Sequence, residues 1–513
     1  MNSQQWVEYL TGKLDRSKDR ALFLRSYTNE HAPLPEMGPN LRASWAAFQR
    51  KSLTNSGGLV VSTLAERIVP NGIIVGDAND SPQVLAAQRV WRDNRMDVAV
   101  SDAVFDALTT GYGYLLVTQG MDGHAVVTRE DAAQFYVEPD PTQPWKAIAA
   151  IKVWRVPSER TDYMVVWADG VKLGYTRDSY TDDKLIRSVQ GGWKPTLTME
   201  EYEGNPPVVI LENKDGKGEF QSQLGLIDRI NWGILQRLVT MSMQAFRQRA
   251  LKVDDSQNGE GLPDADEDGN DIDYKALFEP APGALWELPP GVEIWESQQT
   301  SFQDMLAAVK DDWRELAAET ATPLSAMLPD SANQSANGAE EPQKQLVFKA
   351  KDRIQRFRPA LNVAMVKALQ VEGVDIGDQT LEVVFEPPNA VSMTEKYAAA
   401  AQAKAAGEAL ETIQRNILGY SPEQIAQDKQ RRAEEQMSLA SNLQPVQAAP
   451  SVVASNDPSA MKAKFDALGV AIRAGVDPQD AARQLGLNDV QFTGAVPVSL
   501  RMPESDATHL EDK

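Results

Sequence analysis

Between Gly225 and Lys252, apolar side chains recur every three or four residues: Ile227, Ile230, Ile234, Leu238, Met241 and Ala245. Arg229, Gln236, Arg237, Gln244, Arg247 and Gln248 fall largely on other faces. The spacing predicts one amphipathic helix, which at the usual rise per residue reaches roughly 40 Å. A helix of that length carries an apolar stripe that something must cover. The pattern breaks over Val253 to Ser297, an acidic stretch rich in Gly and Pro that contains Trp286 and Trp295. Helical spacing returns at Phe302 and runs to about Thr320, where Thr322-Pro323 ends it. The chain therefore goes out along one helix, makes an excursion and comes back along another.

The segments around this pair predict an α+β fold. A helical stretch over Leu59 to Val69 stops at Pro70-Asn71-Gly72, and helices follow over Gln83 to Asn94 and Val98 to Thr110, the last broken by Gly111-Tyr112-Gly113. From Tyr114 to Leu211 the period shortens towards two, in short runs such as Leu115-Leu116-Val117, Ile148 to Val156 and Tyr163 to Trp167. This is the β-rich part, packed as hairpins on the preceding helices. A polar, small-residue segment from Ser331 to Ala339 separates the helix pair from a helix over Gln343 to Val371, which opens with alternating bases. A strand over Leu381 to Phe385 and Ala-rich helices from Ser392 to Ala440 follow. Leu443 to Pro458 is a Pro/Ala/Ser linker, and a helical pair, Met461 to Ala474 and Pro478 to Leu485, precedes an acidic tail.

Composition excludes several chemistries. The 513 residues contain no cysteine, which removes disulfides, cysteine-ligated metals and a cysteine nucleophile. The three histidines, His31, His124 and His509, lie in unrelated contexts and read as surface or loop residues. No run approaches the length of a transmembrane helix, and Met1 to Asp15 lacks a signal-peptide pattern, so the expected setting is a cytoplasm. A net charge of −22 argues against broad nucleic-acid gripping, since phosphate contacts require local Lys and Arg. It does not argue against a channel through which a polyanion slides, since such a channel should repel it mildly.

Individual motifs point to no catalytic site. Asp264, Asp266 and Asp268 with Gly269 match the first half of a calcium loop, but the twelfth position is Lys275, and the plain alternative is an acidic turn. Asp215-Gly216-Lys217-Gly218 lacks the spacing and hydroxyl of a phosphate cradle. The basic run from Lys344 to Arg358 fits a phosphate contact and an amphipathic surface helix equally well.

Taken in order, these parts resemble the portal proteins of tailed double-stranded DNA phages, particularly the long-tailed, actinobacteriophage-like type. The resemblance covers about Arg25 to Gln436. It rests on Asn55 to Val75, Trp91 to Val117, Gly204-Asn205-Pro206-Pro207-Val208-Val209, Leu224 to Arg249, Ala321-Thr322-Pro323-Leu324, Phe385-Glu386-Pro387-Pro388 and Ile417 to Glu423. It implies a mainly helical fold divided into wing, stem, clip and crown: wing over 1–224 with the β-rich part, stem helix over 225–252, clip over 253–299, and second stem helix over 300–325. A tunnel loop over 326–342, a long wing helix and return strand over 343–390, crown helices over 391–440, a linker over 441–458 and a C-terminal pair and tail over 459–513 complete the division.

On that resemblance Ser331, Asn333, Gln334, Ser335, Asn337 and Gly338 belong to the loop facing DNA, with Glu340, Glu341, Lys344 and Lys349 as candidate DNA-facing charges. Asp264, Asp266, Asp268, Trp286 and Trp295 belong to the docking clip, and Ile227, Ile230, Ile234, Leu238 and Met241 to stem packing. The implied protein is a homo-oligomeric ring, usually of twelve, at the capsid vertex of the virion. It passes double-stranded DNA during packaging and ejection, and meets the terminase large subunit, head-completion or adaptor proteins, and major capsid and scaffolding proteins. No enzyme activity, cofactor, metal or membrane is implied, and assembly is expected in the host cytoplasm. Another head-tail connector or minor capsid protein is the alternative within the class, and a metal-dependent hydrolase using the three aspartates the alternative outside it.

Overall fold

The computed structural model describes residues 2–36, 42–76, 81–196, 200–202, 204–245, 249–253, 269, 271, 292–296, 302–328, 336–389, 393–442, 458–473, 477–487 and 490. They form two compact units, residues 1–431 and 432–513. Helix α1 (Ser3–Ser26) opens the first unit with a capping box, in which Asn2 Oδ1 accepts from the Gln5 amide and Gln5 Oε1 from the Asn2 amide. Helices α2 (Arg42–Ser52), α3 (Ser56–Ala65), α4 (Pro82–Asp93) and α5 (Met96–Thr110) follow, with strand β1 (Pro70–Val75) between α3 and α4.

Strands β2 (Tyr112–Gln119) and β3 (Ala125–Glu130) form a hairpin, extended by β10 (Val208–Glu212) into an antiparallel sheet ordered β10-β2-β3. Strands β4 (Phe135–Pro139), β5 (Ala147–Val156), β6 (Thr161–Ala168), β7 (Val171–Asp178) and the short β8 (Lys194–Pro195) and β9 (Glu200–Glu201) make a second antiparallel sheet. Alternation sorts side chains into layers. In β5 and β6, Ala149, Ile151, Val153, Met164 and Val166 pack under Trp6, Leu10 and Leu14 of α1, while Ala150, Val165 and Trp167 meet Tyr114, Leu116 and Val208 of the smaller sheet. The other face of that sheet, Leu115, Val117, Val209 and Leu211, enters the main core with α3, α4 and α5.

Helix α6 (Leu224–Ala245) is followed by strand β11 (Arg249–Val253), which pairs antiparallel with β12 (Val292–Glu296), and then by α7 (Phe302–Thr320). The expected single helix to Lys252 is thus shorter. Its last residues form a five-residue ladder, where Val292, Ile294 and Trp295 supply strand-favouring side chains on the returning chain. Helix α8 (Ala336–Val371) begins before the expected Gln343, so Asn337, Gly338, Glu340 and Glu341 belong to helical backbone rather than to a loop. Its buried stripe, Leu346, Ala350, Ile354, Phe357, Leu361, Ala364 and Ala368, recurs at helical spacing and fills the main core. Strand β13 (Leu381–Phe385) pairs with β1, so Pro70-Asn71-Gly72 opens a strand and does not merely stop a helix. Helices α9 (Met393–Ala405) and α10 (Pro422–Asn442) follow. In the second unit α11 (Pro458–Arg473) and α12 (Pro478–Gln484) share a small core of Leu468, Ala481, Ala482 and Leu487. Among the described residues no helix is long and apolar enough to cross a membrane.

The Gly111-Tyr112-Gly113 breaker has a steric cause. Gly111 closes α5 at φ 93°, and a Cβ there would lie 2.2 Å from the Gly216 carbonyl oxygen. At Gly113 it would lie 2.1 Å from the Ala103 oxygen, because β2 turns back directly against α5. Gly111→Ala is therefore expected to destabilise the chain by about 2–3 kcal/mol, read as a lower urea midpoint. An exposed control such as Gly191→Ala meets no atom within 4 Å and shifts it less, although its φ of 75° leaves some strain.

Candidate functional site: the helix pair and its buried anchor

Helices α6 and α7 run antiparallel in close contact. Arg229 pairs with Asp312 (Nε to Oδ1 2.9 Å) and Glu315, and Gly233 faces Val309 so closely that a Cβ would lie 2.9 Å from its Cγ2. The ion pairs are half exposed and contribute little, so the Gly233 approach is what sets the register.

Cover along α6 is graded. Ile227 and Ile230 are fully buried in the chain's own core, and Asn231 accepts from the Thr54 amide (3.0 Å) and hydroxyl (2.8 Å). Tyr27, which caps the end of α1, donates to Asp228 Oδ1 at 2.9 Å, and burial together with that carboxylate pushes the phenol well above its ordinary range. Further along, Ile234 and Leu238 are only partly covered, and Met241 is 51% exposed. Trp232 is 48% and Leu306 of α7 38% exposed. Of the five expected stem-packing residues, Ile227 and Ile230 are consequently residues of the chain's own core, because the first two turns of α6 enter it; the uncovered surface begins beyond them.

The near end of the pair is locked by a buried charge cluster. Glu219, just before α6, accepts from Arg353 Nε (2.6 Å) and Lys349 Nζ (2.8 Å) of α8, and from Asn213 Nδ2 (3.0 Å). Lys349 also donates to the Thr320 carbonyl at the end of α7 (2.7 Å). One carboxylate thus joins the root of α6, the end of α7 and the middle of α8. Burial works to raise the Glu219 carboxyl, but Lys349 and Arg353 outweigh it and hold it below the ordinary carboxylate range. Lys349 is therefore an internal anchor rather than a DNA-facing charge, since its ammonium is committed to Glu219 and the Thr320 carbonyl.

The other expected site residues are placed as follows. Asp264, Asp266, Asp268, Trp286, Ser331, Asn333, Gln334 and Ser335 lie outside the described residues. Trp295 stands opposite Ala250 in the β11/β12 ladder. Lys344 is exposed on α8. His124 approaches Glu372 (Nδ1 to Oε2 3.2 Å), His31 approaches the Asn29 carbonyl oxygen (Nδ1 to O 2.5 Å), and His509 lies outside the described residues. Sequence reasoning missed Glu219, Arg353, Tyr27 and Asp228, whose partners lie 134 and 201 residues away. The local signal at Glu219, a carboxylate following Asp215 to Gly218 and preceding a long helix, does not name a distant lysine.

The model of the family described as "Phage portal protein, SPP1 Gp6-like" matches residues 8–438. No curated protein matches the sequence. Among solved structures, the neck of an empty GTA particle computed with C6 symmetry is 15% identical with a TM-score of 0.45, covering 75% of this chain and 95% of that one. The virion of a native gene transfer agent particle is 16% identical with a TM-score of 0.42, covering 79% and 99%. The neck of the native particle computed with C12 symmetry is 15% identical with a TM-score of 0.43, covering 74% and 94%.

Replacing Glu219 by Gln leaves Lys349 and Arg353 buried against a neutral group, and is expected to cost about 3–5 kcal/mol. Because the folded carboxyl titrates below its unfolded value, its contribution is fully present above the unfolded value and is lost as pH falls towards the folded one. Unfolding titrations across about pH 3–6, the range in which carboxylates titrate, should show the wild type losing stability on acidification more steeply than Glu219→Gln.

Proposed function

Because this chain belongs to the phage portal protein family of the SPP1 Gp6-like kind, whose members are structural components of the phage particle, we propose that it forms a twelve-membered ring at the capsid vertex. Within the family we assign it to the long-tailed, actinobacteriophage-like type, on the motifs from Asn55 to Val75 through Ile417 to Glu423. The ring is the conduit for double-stranded DNA during packaging and ejection, and it is assembled in the host cytoplasm. The observation that carries this reading is the graded cover of α6 and α7, with a buried root and an apolar outer portion at Trp232, Met241 and Leu306 that the chain leaves open. Identical neighbours in a closed ring present the same helices side by side and can cover that surface without limitless growth.

The excursion over 253–299, whose backbone is pinched by the β11/β12 ladder, is the clip that meets the terminase large subunit and later head-completion proteins. Residues 331–338 face the DNA, together with Glu340, Glu341 and Lys344. The helices from 391 to 440 form the crown, and outer surfaces meet major capsid and scaffolding proteins. The charge of −22 favours passage over retention of a polyanion.

Met241→Glu is expected to leave folding of the isolated chain within about 0.5 kcal/mol, since the side chain is exposed there, while sharply reducing rings counted by negative-stain electron microscopy. Undiminished rings would remove Met241 from the interface. Deleting Asn333 to Gly338 is expected to spare rings but impair DNA packaging or retention, measured as the fraction of DNA-filled heads; normal filling would reject the DNA-facing role of this segment.

A further inference from the structure

A cleft of about 600 Å³ opens beside the edge of β10, walled by α8 and by the loop before β5. Its floor is unfinished sheet. The Val117 amide donates to the Pro207 carbonyl and the Asn213 amide to the Gly111 carbonyl, so odd positions of β10 bond to β2. The amide and carbonyl of Ile210 therefore point away from β2, on an edge that no strand pairs among the described residues. Trp145, 73% exposed, and Val363, 49% exposed, form an apolar rim. Lys367 lines the same cleft, and its Nζ donates to the Pro206 carbonyl at 3.3 Å. Among the described residues that carbonyl is its one hydrogen-bond partner and no carboxylate pairs with it, and burial lowers its ammonium from the ordinary lysine range. An open strand edge, an apolar rim and an unpaired, half-buried cation together suit an extended segment carrying an aromatic side chain and a carboxylate.

The chain presents such a segment elsewhere. Tyr180 is 85% exposed and is followed by exposed Asp182 and Asp183, just past β7. The segment is tied to the sheet by one arginine. Asp162, buried between Arg155 (2.5 Å) and Arg177 (2.9 Å), orients Arg155 to donate to Thr181 Oγ1 and to the Asp183 carbonyl (2.7 Å). It cannot fold back into its own cleft: Trp145 precedes the start of β5, whereas Tyr180 follows the end of β7, and the register from Ala149↔Ala168 to Val156↔Thr161 places these at opposite ends of the sheet. Eight paired residues separate them by about 25 Å. A ring needs this arrangement, with complementary patches on different flanks of each subunit.

We infer that, in the assembled ring, Tyr180 with Asp182 and Asp183 of one copy seats in the Trp145–Val363–Lys367 cleft of the next. The inference rests on the ring reading, and its test separates the two. The natural chain has no cysteine, so Tyr180→Cys combined with Val363→Cys introduces only the designed thiols, both at exposed positions. Rings verified by negative-stain microscopy and treated with a short bismaleimide should give a denaturing-gel ladder at multiples of 56.4 kDa, absent from either single variant. Rings that yield only monomer overturn the docking and leave the ring reading standing; absence of rings from the unmodified chain overturns both. Cross-linking of Val363→Cys to a co-assembled protein in place of a second copy also overturns it. Independently, Lys367→Glu should lose ring assembly, and Asp182→Lys with Asp183→Lys in the same chain should restore it; unchanged assembly in Lys367→Glu contradicts the pairing.

Discussion

A carboxylate taken out of water must keep its partners, and the architecture turns on one such group. Glu219 is held between Lys349 and Arg353 at the point where α6 leaves, α7 returns and α8 passes. Removing Glu219 would leave two buried cations without their shared carboxylate, so the three helices cannot separate cheaply at this point. The helix pair is therefore fixed at its root. Tyr27 to Asp228 and Thr54 to Asn231 add hydrogen bonds from the N-terminal part of the chain, so the root of α6 is gripped from several directions.

Fixing one end gives the other its meaning. The root of α6 supplies Ile227 and Ile230 to the core, while a few turns later Met241 has little to pack against within the chain. A stiff lever with an apolar outer portion suits an element that identical neighbours complete. The layers behind it serve the same end: α1 crosses the six-stranded sheet at Trp6, Leu10 and Leu14 and then reaches the main core at Leu24 and Tyr27, coupling the β-rich part to the helical part.

Much of this was legible in the sequence wherever periodicity is local. The stripe from Ile227 to Met241, the return at Phe302 and the alternating runs from Tyr114 to Leu211 announce their elements because each repeats within a turn or a strand. What was not legible depends on distant partners. Strand β1 was hidden because its partner β13 lies some three hundred residues on. Lys349 sits in a run of bases that looks solvated, yet helical geometry turns it and Arg353 inward while Lys344 remains exposed. The loop boundary near Ser335 failed similarly, since Ala336 to Ala339 is small and polar enough for a loop but continues the helix. The family resemblance survives because it rests on the order of elements, which these local errors do not change.

The central claim is that neighbouring copies cover the outer part of α6. Oxidative footprinting of methionines measures that cover directly, comparing dispersed and assembled protein. Met241 should oxidise readily in the dispersed chain and become protected on assembly, while Met121, fully exposed on the tip of the β2–β3 hairpin, reports reagent strength. Equal oxidation of Met241 in both states, with rings present, would contradict the account.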